Sequence, residues 1–208
     1  MRLRIATRGS ALARWQAEHV ASLLAARDPS VAVELVIVET AGDRRQDVPI
    51  WQMGGKGVFV KEVQAAVLDG RADAAVHSAK DLPSHQIDGL VLVAVPERGE
   101  VRDALVGSTL DALPAGARIG TGSARRRAQL ADRRPDLTFG SLRGNIPTRL
   151  ERASGYDAIV VAAVALERLG RTDAVAELLP TEVVLPQVGQ GALAVECRTD
   201  DDQNSNSR

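Results

Sequence analysis

A chain of 208 residues and 22.1 kDa, 45% apolar and 25% charged, has room for one large or two modest hydrophobic cores and lies far from the composition of disorder. Its five aromatics (two Trp, one Tyr, two Phe) predict an aliphatic core and argue against base stacking, while one cysteine and three scattered histidines leave no intrachain disulfide framework and argue against a zinc centre. The net charge of −1 hides an uneven distribution, for between Arg98 and Arg152 eleven arginines face six acidic residues, a local +5 against −6 for the remainder.

No segment approaches the roughly 20 apolar residues of a membrane span. Arg2, Arg4 and Arg8 open the chain without a following apolar run, so a cytoplasmic protein of a reducing compartment is expected. Leu3–Ala6 reads as a short strand, after which Ser10 caps a helix whose apolar face is Leu12, Trp15, His19 and Leu23. Val31–Val38 is a β-branched and aliphatic run expected to be buried on both faces. A helix over Phe59–Leu68 and strands at Ala74–Val76 and Leu90–Val95 follow. The same alternation restarts beyond the charged, turn-rich stretch PERGEVRD, with strands at Arg118–Gly120, Thr138–Ser141 and Ala158–Val161 and helices at Ser123–Arg134, Ile146–Ala153 and Ala163–Leu169. Ala192–Cys197 reads as one more strand returning to the first half. This rhythm predicts an α/β protein of two lobes, each a mainly parallel sheet flanked by helices. Residues 1–95 with 192–198 form the first lobe and 101–185 the second. Hinges at 96–100 and 186–191 would make a cleft, and the wholly polar tail 199–208 is expected to be disordered.

Four strand ends carry small or polar turns: Thr7-Arg8-Gly9-Ser10, His77-Ser78-Ala79-Lys80-Asp81, Gly120-Thr121-Gly122-Ser123 and Ser141-Leu142-Arg143-Gly144-Asn145. In open α/β sheets, ligands bind beyond the carboxyl ends of strands, where helix N-termini present free N–H groups. Taken alone, Ser10, Ser123 and Asn145 are N-caps and nothing more. The arginines point further. Arg125, Arg126 and Arg127 fall in the first turn of the helix capped by Ser123, where each cation opposes the helix dipole by roughly 0.3–1 kcal/mol, and a bound anion would offset that. Arg8, Arg125, Arg126, Arg143 and Arg149 therefore read as a pocket for a ligand with several carboxylates or phosphates, whereas Arg127, Arg133 and Arg134 read as solvated faces. Gly54-Gly55-Lys56-Gly57 lacks the spacing of a Walker A loop. Within the positive field, Asp81 stays ionised and suits the stabilisation of a developing cation better than proton donation. His77 reads as a packed core histidine and Cys197 as a small buried hydrophobe.

Together the stretches RIATRGSALARWQA, GGKGVFVKE, RADAAVHSAKDLP, IGTGSARRRAQL, SLRGNIPTRL, YDAIVVAAVALERLG and LPQVGQGALAVECR resemble the hydroxymethylbilane synthase (porphobilinogen deaminase) family. The resemblance implies a monomeric cytosolic enzyme of tetrapyrrole biosynthesis with two lobes of periplasmic-binding-protein type. It implies stepwise head-to-tail condensation of four porphobilinogen molecules with release of ammonia, on a dipyrromethane cofactor. By motif, Asp81 is the catalytic carboxylate. Arg8, Ser10, Ser78, Lys80, Thr121, Ser123, Arg125, Arg126, Arg143, Gly144, Asn145, Arg149 and Arg168 match positions that contact cofactor and substrate. Lys56 and Phe59 match a loop over the site, and Gln16 and Gln190 are secondary candidates. The partners implied are porphobilinogen and the growing polypyrrole, with neither nucleic acid nor membrane. The family's cofactor cysteine lies in a third domain; Cys197 matches a different cysteine, so no attachment residue is expected here and chain growth by this chain alone is not expected. A polycarboxylate-binding protein without catalysis, or one part of a split enzyme, is the alternative.

Overall fold

The computed structural model describes residues 1–44 and 57–200. The chain divides into two compact units, Met1–Arg98 with Gly191–Arg208, and Gly99–Gln190.

In the first unit, strand β1 (Arg2–Arg8) pairs in parallel with β2 (Ala32–Val38) on one side and with β3 (Ala74–Ser78) on the other. Strand β10 (Leu193–Arg198) runs antiparallel between β3 and β4 (Leu90–Ala94), completing the order β2-β1-β3-β10-β4. Helix α1 (Ala11–Arg27) covers one face and α3 (Lys61–Leu68) the other; a short helix α2 (Ala41–Arg44) follows β2. Because side chains alternate across a strand, neighbouring residues of β1 enter opposite cores. Ile5 joins Ala17, Val20, Val76 and Leu193 beneath α1, and Ala6 joins Val63, Ala66, Val67 and Leu90 beneath α3.

The second unit repeats the design. Strands β6 (Arg118–Gly120), β7 (Thr138–Gly140) and β8 (Ala158–Ala162) are parallel, while β5 (Asp103–Val106) is antiparallel to both β8 and β9 (Glu177–Leu179), in the order β7-β6-β8-β5-β9. Helix α4 (Ala124–Arg133) brings Leu130 to a core with Leu105, Ile119, Val160 and Leu179. Helices α5 (Ile146–Glu151) and α6 (Ala163–Arg168) lie over the other face, where Leu166 packs with Ala104, Ile159 and Val161. Each of the largest of these side chains contributes about 1.5–3 kcal/mol on full burial, and every core hydrophobe among the described residues is aliphatic.

Four expectations need correction. Val31–Val38 is not buried on both faces, because β2 is an edge strand and most of its side chains are half-buried or exposed. The face of α1 turned to the sheet is Ala13, Gln16, Ala17 and Val20. Leu12, Trp15 and His19 are only half-buried and Leu23 is exposed, with the Trp15 and His19 rings stacked at 5.0 Å. Strands β5 and β9 have no counterpart among the expected elements; only Asp103 of β5 falls within the PERGEVRD stretch. Arg134 is no solvated residue, since it pairs with Asp136 and donates to the Leu110 and Leu113 carbonyls. No helix among the described residues is long and apolar enough to cross a membrane. The polar residues 201–208 and Lys56 lie outside the described residues.

Candidate functional site

In the first unit the carboxyl end of β3 passes into a single 3-10 turn, Ala79–Asp81. The turn is tied down by the Ala79 amide, which donates to the Ala192 carbonyl at 3.0 Å, and by the Leu82 amide, which donates to the Ala79 carbonyl at 3.2 Å. Asp81 lines a small cavity with Arg8, Gln16, Phe59, His77 and Ser78. Gln16, almost fully buried on α1, donates from Nε2 to Ser78 Oγ at 2.9 Å and so holds the strand end from the α1 side. Ser10 caps α1, accepting from the Ala13 amide. Lys80 is half-buried in the turn; neither Ser10 nor Lys80 is among the residues lining the cavity.

Arg8 already has an anion. Its guanidinium forms an ion pair with Asp43 of α2 and stacks at 4.2 Å on the Phe59 ring. Thr40 also donates to Asp43 from Oγ1 at 2.7 Å. Burial pushes the Asp43 carboxyl up, but Arg8 and Thr40 outweigh it and hold the group below the usual range. Phe59 reaches this place because position 42 is glycine: a Cβ there would come within 2.1 Å of the ring.

The second unit brings two of the small-residue turns together. Thr121 and Ser123 lead into α4, with Ser123 accepting from the Arg126 amide and Thr121 Oγ1 from the Ser123 amide. Arg143, Gly144 and Asn145 lead into α5, where Asn145 accepts from the Thr148 amide at 3.0 Å. A Cβ on Gly122 would lie 2.9 Å from the Leu142 carbonyl, which measures how closely the two turns approach. Gly144 has φ +109, open only to glycine at low strain, and this lets the Arg149 Nε donate to the Gly144 carbonyl at 2.8 Å. Arg168 ends α6 half-buried, and that burial lowers its pKa despite the opposing charge of Glu167.

Arg125 and Arg126 do not present open forks. Asp103, at the start of β5 and wholly buried, accepts from Arg125 Nη2 at 2.6 Å, from Arg126 Nη2 at 2.7 Å and from Gln190 Nε2 at 2.9 Å. Arg126 also donates to the Val160 carbonyl, Arg125 to that of Leu185, and Gln190 to that of Val101. Burial alone would raise the Asp103 carboxyl, but Arg126 and Arg125 hold it low. The anion expected to offset the cations at the start of α4 is thus, for two of them, the chain's own Asp103. Arg143 differs. Its Nη1 is buried and has no hydrogen-bond partner among the described residues, leaving a donor suited to an external anion.

Sequence reasoning missed Asp103 and Asp43, because a carboxylate in a turn-rich or acidic stretch carries no local mark of its distant partner. For Asp103 a signal existed: Ala104-Leu105-Val106 is an apolar run long enough for a buried strand, which would have drawn Asp103 inside with it.

A sequence model described as "Porphobilinogen deaminase, dipyromethane cofactor binding domain" matches residues 3–206. The chain belongs to the porphobilinogen deaminase family. Solved structures are similar in fold at low identity. The VFT2 domain of Bordetella pertussis BvgS, in a double-mutant form, superposes with TM-score 0.55 at 18% identity, covering 99% of this chain and 84% of that one. The methionine binding protein MetQ gives 0.56 at 13%, covering 99% and 86%. The periplasmic sulfonate-binding protein SsuA from Methylobacillus flagellatus KT gives 0.50 at 18%, covering 100% and 64%. These likenesses establish a fold of periplasmic-binding-protein type for this deaminase-family chain and nothing about its ligand.

Proposed function

We propose that the chain carries the porphobilinogen-handling residues of a cytoplasmic, monomeric hydroxymethylbilane synthase, which joins four porphobilinogen molecules head to tail with loss of ammonia. The observation that carries this reading is the family match across residues 3–206. Asp81, in its cavity with Arg8, Gln16 and Ser78, acts as the catalytic carboxylate. When the C–N bond of the protonated aminomethyl group breaks, nitrogen leaves as ammonia with the bonding electrons, and the pyrrole-stabilised cation left behind is held by the Asp81 charge. Arg143, with its unpartnered buried Nη1, takes a ligand carboxylate, aided by the polar turns at Thr121, Ser123 and Asn145 and by Arg149 and Arg168; in the first unit Lys80, next to Asp81 in its turn, is a further cation for a ligand carboxylate. Ser10, Phe59 and Gln190 support these positions, as do Arg125 and Arg126 through Asp103.

That orphaned donor among small-residue turns fits a dipyrromethane, whose acetate and propionate groups are anionic. When bound, it supplies a nucleophilic pyrrole carbon and carboxylates by which it is held. Arg143, Arg149 and the Thr121–Ser123 turn would orient it.

The test combines calorimetric titration of porphobilinogen with an ammonia assay. Asp81→Asn should bind porphobilinogen within about threefold of the parent while ammonia release falls by 10² or more, a loss typical for a group that stabilises developing charge. Undiminished release by Asp81→Asn would remove Asp81 from the chemistry. Binding by the parent with no release at all would favour the non-catalytic polycarboxylate binder.

A further inference from the structure

Three buried polar side chains of the first unit meet on the α3 side of the sheet, and the proposed reaction uses none of them. His77 on β3, Gln64 on α3 and Glu196 on β10 are 5%, 4% and 4% exposed. Gln64 Nε2 donates to Glu196 Oε2 at 2.9 Å. His77 Nε2 stands 3.1 Å from the same oxygen, off the line of a hydrogen bond, and has no hydrogen-bond partner elsewhere among the described residues. The cluster on this face includes Val63, Ala66, Val67, Ala75 and Leu90. A carboxylate in such a layer is strongly disfavoured unless its neighbours compensate it. Burial pushes the Glu196 carboxyl up, yet His77 and Gln64 together hold it below its ordinary value, and the Gln64 hydrogen bond fixes its place.

The position of this cluster gives it a use. His77 is the next-to-last residue of β3, immediately before Ser78 and four before Asp81, and it lines the same cavity as Asp81. Gln16 grips Ser78 from the α1 face. Glu196, itself held by Gln64, reaches His77 from the α3 face, so the strand end that launches the Asp81 turn has a partner on both sides.

We propose that Glu196 and Gln64 act through His77 as positioning residues for the Ala79–Asp81 turn, fixing where the Asp81 carboxylate stands in its cavity. The assignment of a role in catalysis rests on reading Asp81 as the catalytic group; the positioning itself does not.

Glu196→Gln keeps the size and the Gln64 contact while removing the charge. Hydrogen exchange followed by NMR on the 208-residue chain without ligand is the first measurement. The hydrogen-bonded Ala79 and Leu82 amides should exchange about tenfold faster or more, with Ala6 on β1 and Leu105 on β5 unchanged. His77→Gln should do the same, and the double variant should add little to either single change because the residues act as one unit. Glu196→Asp should recover part of the protection. Unchanged exchange at Ala79 and Leu82 in a folded Glu196→Gln chain overturns the proposal, as does acceleration spread evenly over β3 and β10, which a merely structural role would produce. If Glu196→Gln does not fold, His77→Gln decides by the same measure. Porphobilinogen titration separates the two claims: a parent chain that binds none defeats the reading of the site, while the ligand-free exchange data still decide the positioning role.

Discussion

Asp103 changes what the neighbouring arginines mean. A guanidinium at the start of a helix invites an external anion, yet Arg126 is spent on Asp103 and the Val160 carbonyl, and Arg125 on Asp103 and the Leu185 carbonyl. Removing one partner of a buried pair leaves the other uncompensated, at a cost of about 3–5 kcal/mol. Asp103→Ala should therefore lower unfolding stability by about that amount in denaturant titration, far more than loss of an exposed pair such as Arg2 with Glu34. A loss below about 1 kcal/mol would return both arginines to the ligand. Arg143 makes the complementary case. With a buried Nη1 that no described residue satisfies, Arg143→Ala should leave stability nearly unchanged but weaken porphobilinogen binding about tenfold, as expected for a charge-assisted hydrogen bond. The difference should shrink as salt screens the remaining attraction. Equal affinity of mutant and parent would sink the assignment.

Among the elements, those whose residues bury themselves by local pattern were legible in the sequence. Helix α4 was placed within a residue at either end, since Ser123 caps it and Leu130 faces the core; β6 was placed without error. Helix α1 is legible but its inner face is not, because a stripe of large apolar residues outweighs the mixed set Ala13, Gln16, Ala17 and Val20 in any periodicity argument. Strands β5 and β9 are short, three or four residues each, and flanked by charge. Their β character comes from pairing with β8 and with each other, not from their own composition. The predicted predominance of parallel pairing holds for β1, β2 and β3 and for β6, β7 and β8, but in each sheet one strand is reversed, β10 in the first and β5 in the second.

At the scale of the whole molecule, many carboxylates are held below their ordinary pKa: Asp43, Asp73 and Asp103 by arginines, Glu196 by His77 and Gln64, and Glu100 and Asp136 by arginines down to about 2. A carboxyl with a folded pKa below its unfolded one stabilises the fold above the unfolded value, near 4, and that contribution disappears as pH falls through the folded value. The thermal midpoint should thus hold between pH 7 and about pH 5 and fall steeply from about pH 4 towards pH 2. Equal midpoints at pH 7 and pH 3 would contradict this.

The sequence by itself determined the α/β class and the aliphatic cores, because these follow from residue types and from spacings of a few positions along the chain, and its stretches carry the match to the family. It also marked the turns on which a ligand's partners would sit. Which arginines remain open to a ligand was decided only by the tertiary structure. Asp103 lies 22 residues from Arg125 and 87 from Gln190, and Glu196 lies 132 from Gln64. Groups so far apart in sequence meet only when the fold brings their elements together, and in the low-dielectric interior that meeting decides whether a cation is available or already engaged.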